Sequence, residues 1–158
     1  MTWEVCVEFR PSTVHGMGAF AKEPIKAGTK VWGFDDSMYA CDAQELHLYD
    51  GGTLQEALLA GYLHEPTEKF IWYRDGMQFV NHAEGMLANI ATPEWLPLSQ
   101  DCVVATRDIE AGEEFFEDYG FWNIFNLAPN HWLRLMYLQN CPQHYHFMQS
   151  LVEVRRAA

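Results

Sequence analysis

Three short segments of the sequence hold the residue types that could bind or transform a ligand. They are the glycine turn His15–Ala21 (HGMGAFA), the Asn-His pair in Phe79–His82 (FVNH), and Gly112–Gly120 (GEEFFEDYG), which ends in Asp-Tyr-Gly. Taken singly, each is explained by a tight turn or a hairpin, where glycine supplies a positive φ angle. The glycine turn is not a dinucleotide or phosphate-binding fingerprint, because no helix follows it and the third glycine and the lysine are missing.

A fourth group, near the C-terminus, offers ligand types that zinc accepts. Cys141, His144 and His146 supply one thiol and two imidazoles. A structural zinc site needs four ligands, and the sequence offers no companion pair. We therefore expect exposed histidines near a helix end and no metal.

In this order, across residues 15–120, the three segments resemble the SET domain of protein lysine methyltransferases. The family pattern is a GxGxFA turn, an Asn-His in the middle, and a GEE strand that ends in Asp-Tyr. Two connecting phrases are also similar to the family, Ile25–Thr29 (IKAGT) and Arg107–Glu114 (RDIEAGEE). The resemblance extends from about Trp3 to Trp122.

The resemblance implies a mostly β (α+β) fold of short antiparallel sheets. In the family, the C-terminal strand threads beneath a loop near the Asn-His segment and forms a pseudo-knot. We expect residues 1–125 to form the SET domain and residues 126–158 to form a helical C-terminal extension that packs on the same domain.

The resemblance also implies S-adenosylmethionine as the methyl donor and places Tyr119 beside the transferred methyl group. Aromatic faces attract sulfonium and ammonium groups, so aromatic residues near Tyr119 are further candidates, with core packing as the alternative. The predicted cofactor-binding residues are Gly16, Met17, Gly18, Asn81, His82 and Trp122. The predicted substrate-binding residues are Phe121 and Tyr39.

Glu117 departs from the family pattern. Relatives usually have Tyr or Phe at this position, two residues before the tyrosine, where it governs how many methyl groups fit. If the strand alternates regularly, Glu117 and Tyr119 face the same way. Burial would raise the pKa of the carboxyl, so Glu117 could orient the lysine and take its proton, which makes it a second catalytic candidate. The alternative is a bulge that turns Glu117 toward solvent.

Other departures concern the surroundings of these motifs. Gln78 stands where an Arg is common, and the segment from Ala83 onward replaces a Ser-Cys-x-Pro-Asn stretch. The Cys-rich zinc module of many relatives is missing, so the C-terminal helix and its aromatic residues would have to close the channel.

The hydrophobic pattern predicts short strands and few helices. Expected strands are Trp3–Phe9, Ala19–Ala21, Thr29–Phe34, Cys102–Thr106 and Glu114–Tyr119, together with a hairpin formed by Phe70–Tyr73 and Met77–Val80. Expected helices are Thr53–Tyr62, with Thr53 and Glu56 at capping-box spacing, and Asn130–Phe147, which Pro142 should break or bend.

Composition limits the function classes. With 158 residues, 49% apolar and 15% aromatic, the chain can build one domain with a core and is too apolar for disorder. The net charge of −12 repels phosphate backbones and anionic membranes. Because residues 1–130 carry 21 acids and seven bases, we expect either a docking surface for a basic protein or a solvated acidic face.

The start MTWEVCVEF has no signal-peptide pattern, and the four cysteines form no CxxC pair. We therefore expect an intracellular protein, cytoplasmic or nuclear. The leading hypothesis is methyl transfer from S-adenosylmethionine to a lysine on a basic protein tail, such as a histone or a ribosomal protein. The alternatives are a catalytically silent SET-derived module that binds a peptide or the cofactor, and a SET enzyme with an unusual amine acceptor.

Overall fold

The structure is a computed structural model that describes residues 3–35, 38–93 and 102–158. The chain divides into two units, each formed by two separate stretches of sequence. The first unit comprises the described residues of Met1–Met38 and Arg74–Asp118, and the second comprises Tyr39–Tyr73 and Tyr119–Ala158. The predicted division into residues 1–125 and 126–158 stays a prediction.

Both units contain short strands, numbered here in chain order. The strands of the first unit are β1 (Val7–Pro11), β2 (Met17–Ala21), β3 (Lys30–Gly33), β7 (Asn81–His82), β8 (Ile90–Ala91), β9 (Cys102–Ala105) and β10 (Phe116–Glu117). The strands of the second unit are β4 (Tyr39–Cys41), β5 (Gly61–His64) and β6 (Lys69–Trp72), which form a three-stranded sheet. In the first unit, β1 and β2 pair as an antiparallel hairpin. The other strands form one sheet in the order β3-β9-β8-β10-β7.

The position of β10 is the notable feature of that sheet. This last strand lies between β7 and β8, which are consecutive in the chain, and it runs parallel to both. The other pairs, β3 with β9 and β8 with β9, are antiparallel. A late strand inserted between two earlier ones is the arrangement expected of the SET fold.

In the first unit, two tryptophan side chains donate hydrogen bonds to Asp75. The Trp32 indole donates to the Asp75 carboxylate at 2.7 Å, and the Trp3 indole donates to the Asp75 carbonyl at 3.0 Å. The Trp3 ring also packs on Phe115. Both indole N–H groups therefore have the partner that a buried Trp requires.

The second unit has the antiparallel sheet β4-β6-β5 and four helices. The helices are α1 (Ala43–His47), α2 (Gly51–Leu59), α3 (Trp132–Asn140) and α4 (Pro142–Ala157). Asp42 and Glu45 form a capping box at α1, and Asp50 caps α2 by accepting from the Thr53 amide. Each cap satisfies backbone N–H groups that a helix start leaves without partners.

These helices enclose the hydrophobic core of the second unit. Its members include Leu58, Phe70 and Tyr137, which are almost completely buried. The buried Tyr137 hydroxyl donates to the Leu58 carbonyl at 2.5 Å, so this polar group is satisfied inside the core. α4 begins with Pro142 at a position where its missing N–H costs nothing, which confirms that Pro142 ends the preceding helix.

Three local predictions were wrong. The expected strand Glu114–Tyr119 is limited to Phe116–Glu117, and Tyr119 begins a 3-10 turn, so the strand does not alternate regularly from Glu117 to Tyr119. The expected hairpin partner of Phe70–Tyr73 is a 3-10 turn, Met77–Phe79, and β6 pairs instead with β4 and β5. The expected cap Thr53 lies inside α2, because Asp50 offers a carboxylate three residues earlier. In the part of the chain that the structure describes, no helix has both the length and the apolar character needed to cross a membrane.

Candidate active site

The glycine turn joins β1 to β2 in the first unit. The Ser12 amide donates to the Gly16 carbonyl at 2.8 Å, and the Val14 amide donates to the Ser12 hydroxyl at 2.9 Å. Gly16 has a φ of +50°, in the left-handed region where glycine is favoured. A β-carbon on Gly16 would meet nothing within 4 Å, so the space above the turn is open.

The Asn81 side chain is tied to this turn. Its Nδ2 group donates to the carbonyls of His15 at 3.0 Å and Met17 at 3.1 Å, and also to the Glu114 carboxylate at 2.9 Å. These contacts use both amide hydrogens, one of them shared. The side-chain oxygen Oδ1 takes part in none of these contacts, and none of the described residues donates a hydrogen bond to it. Asn81 can therefore accept a hydrogen bond from a ligand donor.

The middle and last motifs are adjacent strands. Phe116 pairs with Asn81 and Glu117 pairs with His82, in parallel register. Asn89 supports this arrangement, because its Nδ2 donates to the Glu114 carbonyl at 2.8 Å and its Oδ1 accepts from the Phe116 amide at 2.8 Å. Motifs more than thirty residues apart in sequence are thus held side by side.

Glu117 is half-buried in this sheet. Burial raises the pKa of its carboxyl to about 7, and the neighbouring Asp118 carboxylate adds to the rise. Asp118 itself accepts from the Gly85 amide at 3.2 Å. Near neutral pH, Glu117 is therefore close to half protonated and can either accept or donate a proton. It is not the solvent-exposed acid that a bulge would have produced.

Tyr119 opens a 3-10 turn, Tyr119–Phe121, at the start of the second unit's C-terminal stretch. Its carbonyl accepts from the Trp122 amide at 3.1 Å. The Trp122 ring packs edge-on against Tyr137, with ring centroids 4.9 Å apart, and against His144 at 5.5 Å. Trp122 is thus fixed by the core of its unit, and its predicted contact with a cofactor stays a prediction.

Phe121 is the exposed member of this turn, with 60% of its surface accessible. The Arg155 guanidinium of α4 lies 4.2 Å from the centre of its ring. A cation at that distance over an aromatic face is attracted by the ring quadrupole. The C-terminal helix therefore holds the segment that follows Tyr119.

Tyr39 lies in an aromatic cluster formed by Tyr39, Tyr49 and Trp72. The two tyrosine hydroxyls are 2.6 Å apart, and both rings meet Trp72 edge-on, at 6.0 Å for Tyr39 and 5.7 Å for Tyr49. The hydrogen bond with Tyr39 raises the pKa of Tyr49 well above its usual value. Tyr39 is 43% exposed while Tyr49 and Trp72 pack on the core, so this aromatic cluster is a rigid surface feature.

The zinc ligands considered for the C-terminus are used in other ways. His144 packs between Trp122 and Tyr137, and burial lowers its pKa. The His146 ring forms a hydrogen bond with the Gln149 side chain. Across the described ranges, no three His, Cys, Asp or Glu side chains are grouped as they would be to hold a metal ion.

The three motifs, apart from His15, lie within a region of the chain that matches a known protein family. The sequence pattern of the SET domain matches residues 16–120, which is more than half of the chain. The chain belongs to the SET domain family. No curated protein matched it.

Solved structures share the SET fold at low sequence identity. They include a humanized mutant of the Chaetomium thermophilum Polycomb Repressive Complex 2 bound to an inhibitor (24% identity, TM-score 0.50). Two others are ctPRC2 in an autoinhibited conformation bound to S-adenosylmethionine (24%, 0.51) and apo ctPRC2 in an autoinhibited state (23%, 0.52). Each match covers 73% of this chain and 15% of the solved chain. The chain therefore spans a small part of the length of those proteins, and the likeness shows the fold alone.

Within the SET domain, sequence reasoning missed residues that contact the motif residues and hold them in place. Glu114 and Ser12 contact the glycine turn or its partner Asn81, yet Glu114 was expected only to begin the strand Glu114–Tyr119. Tyr49 and Trp72 support Tyr39. The available signal for Glu114 was Gly18, because a glycine on a strand indicates the close approach of another group.

Proposed function

We propose that this SET domain transfers a methyl group from S-adenosylmethionine to the side-chain amine of a lysine on a basic protein. The observation that carries the proposal is the parallel pairing of β10 with β7, which brings Glu117 beside His82 and Phe116 beside Asn81. That pairing joins the motif that ends in Tyr119 to the motif predicted to bind the cofactor.

The residues around the glycine turn fit the proposed cofactor. The open space above Gly16 admits a ligand against the backbone, and Asn81 Oδ1 offers an acceptor to an ammonium group. Gly16, Met17, Gly18, Asn81 and His82 would hold S-adenosylmethionine, with Trp122 as a further predicted contact. When bound, S-adenosylmethionine supplies an activated methyl group on a sulfonium sulfur.

The chain's own residues would then prepare the acceptor. A lysine ammonium must lose its proton before its nitrogen can attack a carbon. Glu117, with a pKa of about 7, is suited to take that proton near neutral pH. Tyr119 is proposed to orient the amine through its hydroxyl. Positioning and electrostatics supply most of the rate in such a displacement.

The charge of the segment Tyr39–Tyr73 supports a cationic acceptor. This segment has six acids and one lysine. Hydrogen bonds from Thr53 lower the pKa of Asp50. This excess of acids, together with the exposed ring of Tyr39, would attract a basic peptide.

The test uses the purified chain, S-adenosylmethionine and a panel of basic proteins, including core histones and ribosomal proteins. Mass spectrometry reads methylated lysines, and calorimetry with S-adenosylhomocysteine reads binding in parallel. We expect binding together with transfer that is lost in Tyr119→Phe. Binding with no transfer to any member of the panel would favour a silent binding module, and methylation of a small amine alone would favour an unusual acceptor.

A further inference from the structure

Glu114 is a buried carboxylate beside the glycine turn, with 8% of its surface exposed. It lies at an antiparallel bridge with Phe20, and the neighbouring Phe115 amide donates to the Ala19 carbonyl. Its Oε1 accepts from Asn81 Nδ2 at 2.9 Å, and its Oε2 accepts from the Ser12 hydroxyl at 2.9 Å. Each of the two donors therefore has an acceptor in the Glu114 side chain.

The two partners of Glu114 hold opposite ends of the same turn. Ser12 is at the beginning, where its amide donates to the Gly16 carbonyl. Asn81 reaches the other part through the carbonyls of His15 and Met17. One carboxylate therefore links both ends of the turn without belonging to it.

Gly18 brings the carboxylate into contact with the turn itself. A β-carbon at this position would overlap Glu114 Oε1 and would come within 2.9 Å of the Phe20 ring. Any side chain at position 18 would have to displace the carboxylate. The Glu114 carboxylate can therefore occupy its position only because Gly18 has no side chain.

We propose that Glu114 is a positioning residue for the cofactor site. By accepting a hydrogen bond from Asn81 Nδ2, Glu114 orients the side-chain amide so that Oδ1 is left as the acceptor for a ligand. By holding Ser12 at the same time, it sets the geometry of the turn. Glu114 acts through hydrogen bonds and does not touch the cofactor. This inference rests on the proposed function, because the ligand of the turn is S-adenosylmethionine.

Two variants separate the hydrogen bonds from the space that Glu114 fills. Glu114→Met keeps a long side chain but accepts no hydrogen bond. Glu114→Gln can still accept from Asn81 and can donate its amide N–H to the Ser12 hydroxyl. We expect Glu114→Met to raise the Kd for S-adenosylhomocysteine about tenfold to a hundredfold, as for one lost buried hydrogen bond. We expect Glu114→Gln to stay within about threefold of the wild type.

Glu113→Gln is the matched control, because Glu113 is the adjacent acid and its carboxylate also accepts hydrogen bonds. It pairs with Arg107 at 2.6 Å and accepts from the Glu110 amide and from Asn89. Calorimetry measures the Kd of all variants, and thermal melting confirms that each is folded. We expect Glu113→Gln to bind the ligand as the wild type does.

Three results overturn the inference: an unchanged Kd in folded Glu114→Met, an equal loss in Glu114→Gln, or an equal loss in Glu113→Gln. If the wild type binds no S-adenosylhomocysteine, the proposed function fails, and NMR tests the positioning by itself. The positioning role is supported if the Asn81 side-chain amide and Gly18 backbone resonances shift in Glu114→Met but not in Glu114→Gln or Glu113→Gln. It is overturned if these resonances do not shift in Glu114→Met.

Discussion

Glu117 and His82 are paired neighbours on parallel strands of one sheet. Registered neighbours on adjacent strands point their side chains to the same face. A carboxyl with a pKa of about 7 therefore shares a face with an imidazole from the motif predicted to bind the cofactor. Relatives usually place an aromatic ring at the position of Glu117, so this pair is a distinctive feature of the chain.

Glu117→Gln should change how stability depends on pH. The folded pKa of Glu117 is about 7, and the ordinary carboxyl value is about 4.3. Between these values the unfolded chain loses the proton while the folded protein keeps it, so wild-type stability falls as pH rises through this window. We expect the variant to match the wild type at pH 4 and to exceed it at pH 8 by on the order of 2–3 kcal/mol, measured by urea unfolding.

Asp108→Asn is a control with the opposite sign. The Lys26 ammonium and the Ala27 amide lower the pKa of Asp108, so its ionised form stabilises the fold above the ordinary carboxyl pKa. This variant should lose stability at neutral pH relative to acid pH. Equal pH profiles for Glu117→Gln and the wild type would show that Glu117 is solvated in the folded protein.

Tyr119→Phe should separate catalysis from binding. Removing one oriented polar group from a closed site lowers turnover by about two to three powers of ten. Since the backbone of the 3-10 turn does not depend on the hydroxyl, the Kd for S-adenosylhomocysteine should stay near the wild-type value. Single-turnover mass spectrometry and calorimetry measure the two quantities. Wild-type turnover in a variant that binds normally would remove Tyr119 from the reaction.

Asn81→Asp should destabilise the first unit near neutral pH. The substitution replaces the Nδ2 donor by an oxygen that faces Glu114 and the carbonyls of His15 and Met17. Acceptors facing acceptors repel, and a buried charge without a donor is costly. We expect a loss of about 2–4 kcal/mol in urea unfolding at pH 7, part of which returns at pH 4 when the new carboxyl is protonated. Asn81→Ala, which brings in no charge, should lose less.

Tyr39→Ala should weaken the capture of a basic substrate. A cation over an exposed ring gains about 0.5–1 kcal/mol, so KM for a lysine-rich peptide should rise about two- to fivefold with little change in kcat. Tyr39→Phe keeps the ring and removes the hydroxyl that contacts Tyr49, and it should behave as the wild type. If both substitutions raise KM equally, the hydroxyl pair matters and the ring face does not.

The motifs were readable in the sequence because each has a local cause. Gly16 adopts the positive φ that a turn requires, and Pro142 separates α3 from α4 for a steric reason that acts at one residue. Glycine-containing turns likewise indicated where β2 and β3 begin, since the strands Ala19–Ala21 and Thr29–Phe34 were each expected directly after such a turn. Such features depend on a few neighbouring residues, and tertiary contacts did not override them.

The features that sequence reasoning missed depend on distant partners. Phe70–Tyr73 has the right pattern for a hairpin with the next segment, yet β6 pairs with β4 and β5, because strand partners are chosen by packing across the sheet. Glu114 looks like one acid in an acidic turn, and only the position of Asn81 reveals its role. For Glu117 the residue order left burial and solvent exposure open, and its place in the folded sheet raises its pKa.

The interleaving of the two units has a consequence for synthesis. Neither unit is one continuous stretch, since the chain passes from one to the other after Met38, after Tyr73 and after Asp118. The five-stranded sheet of the first unit cannot be completed until Glu117 has left the ribosome, so until then β7 and β8 lack the strand β10 that pairs with both of them. Unpaired strand edges invite association with other chains. A chain stalled before residue 116 should therefore be prone to aggregate, and chaperones that bind exposed strands should engage it during this interval.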